Sequence, residues 1–316
     1  MALRPRAIAP ALAVAALLSG PAAGHAAQTF GSLLKNSPAN GPDPCVDSAP
    51  GPCTLVGYIN PNDVGDPVTS PAPADGVIVR FRLRTSAAEP VTLRLATVTK
   101  EGDTLLAQAV RTGPTVTTQG TGDTEEFAAR LVVHRGEHLA LDAPAAHMVY
   151  NQGGNQFTPL YAPPLVEGQG PRGPGAEPTG ELLLQAVIEP DADGDGFGDE
   201  TQDGCPAQPS TQGACDTKGP GVRAISVGRR KVRYRLSEDA AVTFRVQRAH
   251  RTRSGRVRYR TLRGRFTDDG TAGLNVRSLP RRFRSARLRA GNYRLVLRAV
   301  DAVGNATRKT KRFTVG

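Results

Sequence analysis

Apolar and polar residues alternate over long stretches of the chain, with the period of two that is typical of β-strands. The clearest stretch in the first half is GVIVRFRLRT, which begins at Gly76. Every second residue from Val77 to Leu83 is predicted to face inward, with a mostly basic face outward. Three further stretches repeat the pattern, and their inward-facing residues are predicted to be Val91, Leu93, Leu95, Phe127, Ala129, Leu131, Val133, Leu182, Leu184, Ala186 and Ile188.

The last third of the chain carries the same alternation. Its inward-facing residues are predicted to be Val232, Tyr234, Leu236, Val242, Phe244, Val246, Val257, Tyr259, Tyr293, Leu295, Leu297 and Ala299. Short strands separated by turn signals, without a helical pattern, predict an all-β fold class. We expect an N-terminal antiparallel β-sandwich of the jelly-roll type over residues 28–189. A C-terminal immunoglobulin-like β-sandwich is expected over residues 219–316.

One Pro/Gly-rich segment, PLYAPPLVEGQGPRGPGAEPTG, interrupts the first half without any periodicity. This composition is typical of an interdomain linker or of a long loop. We favour a loop inside the first domain, because the strand predicted over 182–188 otherwise has no sheet to join.

An acidic linker is predicted over residues 190–218, and it begins with DADGDGFGDETQDGCP. Calcium prefers about six to eight oxygen ligands, which a chain supplies when alternate carboxylates converge at a sharp turn. Gly196 falls where a calcium loop of the EF-hand type needs its turn glycine. We predict a calcium site whose ligands are Asp191, Asp193, Asp195, Phe197 through its carbonyl, Asp199 and Asp203.

The end of this stretch departs from an EF-hand, because Gln202 stands at the twelfth position and no helical pattern flanks the loop. The spacing D-x-D-G-D-G-x-G-D before Cys-Pro instead resembles a thrombospondin type-3 repeat. That resemblance implies a calcium site on the same carboxylates, closed by Asp203 or Gln202, which stiffens the junction. A solvated acidic linker without metal is the alternative, but like charges alone do not require the regular Asp spacing.

A second resemblance concerns the stretch LRAGNYRLVLRAVDAVGN, which begins at Leu288. Its L-x-x-G-x-Y-x-L pattern resembles the late strands of bacterial immunoglobulin-like and fibronectin-III-like domains. The resemblance implies that the hydroxyl of Tyr293 is hydrogen-bonded back to the backbone of the preceding loop.

The start of the chain predicts a signal peptide over residues 1–27. Arg4 and Arg6 precede a short apolar run, and small residues lead up to Ala26. An uncleaved anchor is the alternative, although the run is short for a membrane span. Since no later stretch is apolar enough to cross a membrane, we expect a secreted or cell-surface protein without a transmembrane segment.

Four cysteines form two pairs that are close in sequence, Cys45 with Cys53 and Cys205 with Cys215. Exported proteins oxidise such pairs, so we predict two disulfides. A four-cysteine zinc site is disfavoured because the close C-x2-C spacing is missing.

Charge is divided unevenly along the chain, whose net charge is +11. Residues 219–316 contain 27 Lys and Arg against 5 Asp and Glu, whereas residues 1–218 contain 13 against 24. A GC-rich genome explains arginine in place of lysine, but not the concentration of charge in one domain. Parallel outward ladders on a sheet are predicted to bind polyanions through Arg233, Arg235, Arg256, Arg258 and Arg260.

Several partners fit such a basic surface, namely an anionic cell-wall polymer, an acidic polysaccharide, extracellular DNA or the acidic first domain. A specific nucleic-acid partner is disfavoured, because exposed aromatic residues for base stacking are few. Three histidines, His134, His138 and His147, lack the regular spacing of zinc ligands and are interpreted as turn residues.

No motif for catalysis is found in the sequence. We therefore expect a calcium-binding adhesion or structural protein that is not an enzyme, whose first domain presents a ligand surface, with carbohydrate as one candidate. The alternative is a carbohydrate-active enzyme with an accessory module. That alternative requires acidic residues to converge in the first domain, and the candidates are Asp75, Glu125, Glu137 and Asp142.

Overall fold

The computed structural model describes residues 26–38, 45, 51–59, 70–145, 147–150, 156–176, 180–228, 230–283 and 286–316. Most of the predicted signal peptide, residues 1–25, lies outside these ranges. Every regular element within them is a β-strand, which confirms the all-β fold class. The chain divides into two compact units, Met1–Gly213 and Ala214–Gly316. The described residues include no helix that is long and apolar enough to span a bilayer.

The described part of the first unit contains the strands β1 (Gln28–Gly31), β2 (Cys53–Val56), β3 (Tyr58–Ile59), β4 (Gly76–Arg84), β5 (Pro90–Glu101), β6 (Thr104–Thr117), β7 (Thr124–Val133), β8 (His138–Ala143), β9 (Val149–Tyr150), β10 (Gln156–Phe157), β11 (Leu160–Tyr161), β12 (Glu181–Leu182) and β13 (Leu184–Glu189).

These strands form two larger antiparallel sheets. One sheet has the order β1-β13-β4-β7 and the other the order β11-β2-β8-β5-β6. A single hydrophobic cluster joins them, with Phe81, Leu131 and Leu184 from the first sheet and Leu93 and Leu141 from the second. The two sheets thus pack face to face around a shared core, and the alternation predicted for β5, β7 and β13 is confirmed.

Strand β4 contains a β-bulge, where its pairing with β7 shifts between Ile78 and Arg80. Ile78 belongs to the shared core, but Val77 and Val79 pack on the opposite face of the sheet with Val187. The predicted inward orientation of Val77 and Val79 is wrong, because the extra residue of a bulge reverses the side-chain alternation. The bulge gives this sheet a small apolar patch on its outer face.

The Pro/Gly-rich segment belongs to the first unit and covers the outer face of the five-stranded sheet. Strand β11 within it pairs with β2, and Arg172 forms a backbone bridge with Ala107 of β6. Tyr161 and Leu165 of this segment pack in a second cluster of buried residues with Ala107. The strand that follows the segment, β13, joins the four-stranded sheet between β1 and β4.

The described part of the second unit contains the strands β14 (Val222–Gly228), β15 (Lys231–Leu236), β16 (Ala240–Arg251), β17 (Val257–Thr261), β18 (Phe266–Gly270), β19 (Gly273–Ser278), β20 (Arg282–Phe283), β21 (Ala286–Arg287), β22 (Gly291–Val300) and β23 (Ala306–Val315).

A three-stranded sheet of order β14-β15-β19 and a five-stranded sheet share the core of this unit. In the larger sheet the order is β17-β16-β22-β23, and β18 also pairs with β16. Tyr234, Phe244 and Leu297 are fully buried between the sheets, and the alternation predicted for β15, β16 and β22 is confirmed. The buried Tyr293 donates a hydrogen bond from its hydroxyl to the carbonyl of Arg289 at 2.8 Å, the contact that the sequence resemblance implied.

Strand β17 departs from the prediction. It pairs with the end of β16 beyond the core, where Tyr259 lies opposite Ala249 and Arg260 opposite Arg248. Val257 is 51% exposed, and Tyr259 lies on the outer face of the sheet. The predicted inward orientation of these two residues is wrong, because the register of β17 on β16 places both on the face of Gln247, opposite to the core residue Val246.

The cysteines are oxidised. Cys45 and Cys53 form a disulfide with their Cα atoms 5.8 Å apart. Cys205 and Cys215 are also disulfide-bonded, and no free cysteine occurs. This agrees with the predicted disulfides and not with a zinc site.

Candidate metal centre

The acidic stretch forms a tight loop around the carboxylate of Asp191. One carboxylate oxygen accepts hydrogen bonds from the backbone N–H groups of Gly194 and Asp195, and the other from Gly196, at 2.9–3.0 Å. Gly194 and Gly196 have φ angles of 75° and 82°, a region that residues with a Cβ rarely adopt. The glycines between the aspartates therefore let the backbone curl, so that alternate carboxylates point to one place.

Three of the predicted ligands come together in this loop. Carboxylate oxygens of Asp191, Asp193 and Asp195 all lie within 4.8 Å of one another. Both oxygens of Asp193 are buried, and neither forms a well-aligned hydrogen bond with a described residue, although the backbone N–H of Asp195 lies close enough to oppose part of the rise in the pKa of Asp193. Asp203 is only 5% exposed, and its Oδ2 atom is likewise buried without a donor among the described residues.

The electrostatics of the loop are unfavourable for a set of bare carboxylates. Burial, followed by the charge of Asp195, raises the pKa of Asp193, and Asp203 and Asp191 add to this effect. Burial also raises the pKa of Asp199, with contributions from Asp191, Asp193 and Asp203. Asp193 and Asp199 thus each lie close enough to several other aspartates to be repelled by their charges, and a cation among them would relieve that repulsion.

The other predicted ligands have additional contacts. Asp195 accepts hydrogen bonds from the N–H of Phe197 and the side-chain amide of Gln212, both at 2.9 Å. Asp199 accepts one from the N–H of Ala192 at 3.2 Å. The ring of Phe197 lies 4.4 Å from the guanidinium of Arg130, so this side chain anchors the loop on β7.

The structure separates the two candidates for the closing position. Gln202 donates from its amide to the carbonyl of Ala129 at 2.7 Å and accepts from the N–H of Gly198 at 3.3 Å. Its side chain therefore holds the loop against the sheet. Asp203 accepts the N–H of Cys205 at 2.7 Å with one oxygen, and its second oxygen is buried without a donor among the described residues.

Sequence reasoning missed Glu189, which holds the second half of the loop. This residue at the end of β13 is 1% exposed. Its Oε2 accepts the N–H groups of Glu200 and Thr201 at 3.0 and 2.8 Å, and its Oε1 accepts the Thr201 hydroxyl at 2.8 Å. The only sequence signal was its position just before the acidic stretch.

Gly198 is a second residue that sequence reasoning missed. It lies on the outer face of the four-stranded sheet, where a Cβ would come within 2.5 Å of both Glu189 Oε2 and Val79 Cγ1. The apolar patch that the β4 bulge creates is thus the surface on which the loop packs. The loop is fixed to the first unit by this close approach and by the carboxylate of Glu189.

Another group of acidic residues lies in the second unit. Carboxylate oxygens of Asp216, Glu238 and Asp301 lie within 4.8 Å of one another. One oxygen of Asp301 caps a turn by accepting the N–H groups of Val303 and Asn305 at 3.1 and 2.8 Å. These residues are far apart in sequence, and no spacing pattern indicated that they would meet.

The predicted basic ladders lie on different sheets. Arg233 and Arg235 are exposed on the outer face of the three-stranded sheet, beside the exposed Leu274 and Val276. Arg256, Arg258 and Arg260 are exposed along the β16–β17 hairpin. The predicted arrangement as parallel ladders on one sheet is wrong, because the strands that carry them belong to separate sheets.

The four carboxylates of the enzyme alternative each have their own local partner. Asp75 accepts the N–H of Arg135 at 2.7 Å, and Glu125 accepts that of Gln119 at 2.8 Å. Glu137 pairs with Arg111 at 2.5 Å. Asp142 pairs with Arg94, also at 2.5 Å.

The histidines are placed singly as well. The Nδ1 atom of His134 lies 3.6 Å from a carboxylate oxygen of Asp75, and the Nδ1 atom of His147 lies 3.3 Å from a carboxylate oxygen of Glu89. His138 is buried next to the hydroxyl of Ser70, and its burial lowers its pKa despite an opposing hydrogen bond to Gly57. No described group of metal-binding residues includes a histidine.

Comparisons with known proteins give weak likenesses. No family model matches the chain. No curated protein matches it either. Among solved structures, a Bacteroides uniformis beta-glucuronidase 2 is 11% identical over 76% of this chain and 24% of its own, with a TM-score of 0.15. A Ruminococcus gnavus b-glucuronidase is 9% identical over 82% of this chain and 43% of its own, also with a TM-score of 0.15. The chain thus spans less than half of either enzyme.

Proposed function

We propose that the protein is an extracellular calcium-binding adhesion or structural protein, and that calcium organises the carboxylates of the acidic loop. The observation that carries this proposal is the pair of unsatisfied aspartates. Asp193 and Asp203 have buried carboxylate oxygens without a well-formed hydrogen bond among the described residues, and the charges of both lie close to those of other aspartates. Buried charges of this kind are stable only when they are paired or bind a metal ion.

The donor set supports calcium over softer metals. The loop offers carboxylate oxygens, whereas zinc and copper sites are built from cysteine and histidine. Asp191, Asp193 and Asp195 would hold the ion, with Asp199, Asp203 and the carbonyl of Phe197 as further oxygen ligands. Extracellular modules bind calcium with dissociation constants of about 0.1–1 mM, so the site would be occupied in a medium with millimolar calcium.

The proposal extends to compartment and domain type. The disulfide-bonded cysteines support export to an oxidising environment, because cytosolic proteins rarely keep such bonds. We assign the first unit to the jelly-roll-like sandwiches and the second to immunoglobulin-like domains, which the Tyr293 hydrogen bond supports. The first unit would present a ligand surface, and the basic second unit would contact an anionic cell-wall polymer.

Calorimetric titration of the chain with calcium tests the metal site. We expect one class of sites with a dissociation constant of about 1 mM or below. Asp193→Asn should abolish binding, and without calcium it should be as stable as the wild type or more stable, because it removes one of the repelling charges.

The matched control is Asp103→Asn, which changes an exposed aspartate in the turn between β5 and β6. This variant should bind calcium like the wild type. Either a wild-type chain that takes up no calcium at millimolar concentration or an Asp193→Asn variant that binds normally would refute the proposal.

A further inference from the structure

The outer face of the five-stranded sheet in the second unit carries a set of arginines that the sequence pattern did not single out. Across β22 and β23, Arg294 lies directly opposite Arg312, and Arg298 opposite Arg308. Arg245 of β16 lies opposite Val296 in the row between them. Directly opposite residues share one face of a sheet, so these five side chains form a single cationic surface, named the arginine face.

Two contacts fix the orientation of this surface. The Nε of Arg294 donates to the side-chain oxygen of Gln247 at 2.8 Å, and its guanidinium lies 4.0 Å from the ring centre of Tyr259. The core residues of β22, such as Leu295 and Leu297, point to the opposite side. The arginine face is thus the solvent side of the sheet, and its other four arginines are exposed.

No ion pair joins the arginine face to a carboxylate among the described residues, and the carboxylate on the same face, Asp269, lies one row beyond Arg298. Among the described residues of the second unit, the one ion pair is that of Arg277 with Asp268, at 3.8 Å on other strands. Like charges placed directly opposite each other across two strands are unfavourable for the fold. A surface that keeps two such pairs side by side is suited to an anionic partner, which would remove the repulsion.

The spacing of the arginines favours an extended polymer. Residues on one face of a strand repeat every second position, so the three rows are separated by about 7 Å. A chain that follows the strands would meet at least one guanidinium in each row. A guanidinium binds a carboxylate through two parallel hydrogen bonds, a geometry that lysine does not offer.

The neutral side chains of the same face favour sugar over nucleic acid. Thr261 and Gln247 share the first row with Arg294, and Thr243 and Thr267 share the third with Arg298. Their hydroxyl and amide groups match sugar hydroxyls as hydrogen-bond partners. Base stacking would need a free aromatic ring, but the ring of Tyr259 already packs against Arg294.

We propose that the arginine face binds an acidic polysaccharide whose carboxylates pair with Arg245, Arg298, Arg308 and Arg312. The inference rests on the proposed function, in which the second unit contacts an anionic polymer, and it names the surface and the class of polymer. It differs in location, since the polymer is placed on the outer face of the five-stranded sheet and not on the predicted ladders.

Binding of the full chain to alginate, a polymer of carboxylated sugars, tests the inference in a buffer with chelator, so that the calcium site plays no part. The variant Arg245→Gln/Arg298→Gln/Arg308→Gln should bind at least about tenfold more weakly, and the slope of log affinity against log salt should fall by about 2–3. The matched control Arg256→Gln/Arg258→Gln/Arg260→Gln removes the same charge from the hairpin and should lose less than about threefold.

Melting temperature and circular dichroism show whether each variant is folded, and no loss of stability is expected because like charges are removed. If the hairpin variant loses as much affinity as the arginine-face variant, or more, the inference is overturned. The proposed contact between the second unit and a polymer would then stand, but at another surface of that unit. If a single-stranded DNA displaces alginate more effectively than alginate displaces the DNA, the partner class is wrong.

Discussion

At the scale of single residues, the acidic loop depends on side chains that are not acidic ligands in the sequence motif. Glu189 is buried and accepts three hydrogen bonds from Glu200 and Thr201, while Gln202 bonds to the backbone of β7. Both residues hold the loop through contacts with groups that are not among the predicted ligands. The residues predicted to bind calcium are thus not the residues that hold the loop on the sheet.

The substitution Glu189→Gln tests this division. An amide oxygen accepts hydrogen bonds more weakly than a carboxylate, and the amide nitrogen would face the donors of Glu200 or Thr201. We expect the first unit to lose about 1–3 kcal/mol of unfolding free energy. Urea unfolding measures the loss, with the exposed Glu126→Gln as the control, for which about 0–1 kcal/mol is expected. Equal losses in the two variants would contradict the role given to Glu189.

Tyr234 provides a pH-dependent test of the second core. Burial, together with the hydrogen bond to Asp268 at 2.8 Å, raises the pKa of Tyr234 above its ordinary value. The unfolded chain releases this proton near pH 10, whereas the folded chain keeps it, so the stability that this residue contributes is lost as the pH rises above about 10.

In the variant Tyr234→Phe that contribution is absent, and its melting temperature should fall less steeply than that of the wild type between about pH 9.5 and 11. Thermal melts across this range measure the effect. A parallel decline in the wild type and Tyr234→Phe would show that the Tyr234 proton is not linked to folding.

At the scale of elements, the position of the acidic loop depends on the contact between the β-bulge in β4 and Gly198 of the loop. The bulge in β4 turns Val79 to the outer face, and Gly198 of the acidic loop packs against it without room for a Cβ. A loop held only by charge would move with the ionic conditions. Here apolar contact fixes its position, and the ion has only to organise the carboxylates.

Gly198→Ala should therefore destabilise the first unit, since neither Val79 nor the hydrogen-bonded Glu189 can easily move away. We expect a loss of about 1–3 kcal/mol, as for other overpacked sites. The same change at Gly213, where a Cβ meets nothing within 4 Å, is the control and should be nearly neutral. Chemical unfolding compares the two, and an unaffected Gly198→Ala variant would mean that the loop does not pack as closely as described.

The sequence predicted most strands correctly because a period of two is a local property. Residues such as Leu93, Leu131 and Phe244 were placed on the correct face from their neighbours alone. Val79 was misplaced because a bulge is set by the pairing with β7, which is not local. Tyr259 was misplaced because the register of β17 on β16, which decides the face of its side chain, is also not local.

The candidate metal site was also predictable in part, in its carboxylates but not in the residues that hold them in place. The Asp-Gly spacing from Asp191 identified the loop and its carboxylates. It did not identify Glu189 or Gln202, since their contacts to the loop and to Ala129 follow from how the segment folds back on the sheet. The arginine face was missed for the same reason, because its rows exist only once β16, β22 and β23 are aligned.

At the scale of the whole molecule, the two units differ in what stabilises them. The acidic loop packs on the first unit through Val79, Ala129 and Glu189. The second unit has its own core around Tyr234 and Phe244. An ion bound in the loop should thus stabilise the first unit and leave the unfolding of the second unchanged.

Differential scanning calorimetry with calcium and with chelator tests this expectation. At about 10 mM calcium, a site with a dissociation constant of 0.1–1 mM should stabilise the first unit by about 1.4–2.7 kcal/mol. The transition of the second unit is identified by its shift in Tyr234→Phe and should not respond to the ion. A response of both transitions, or of the second alone, would contradict the placement of the site.

The last strand of the second unit has a consequence for how the protein behaves in concentrated solution. Strand β23 is ten residues long and ends its sheet, so one side of its backbone is a template for pairing with another copy. Arg308, Lys309, Lys311 and Arg312 would bring like charges together in any such pairing. We expect repulsion between copies to disfavour this pairing, and a polyanion in excess to cancel that protection and promote aggregation.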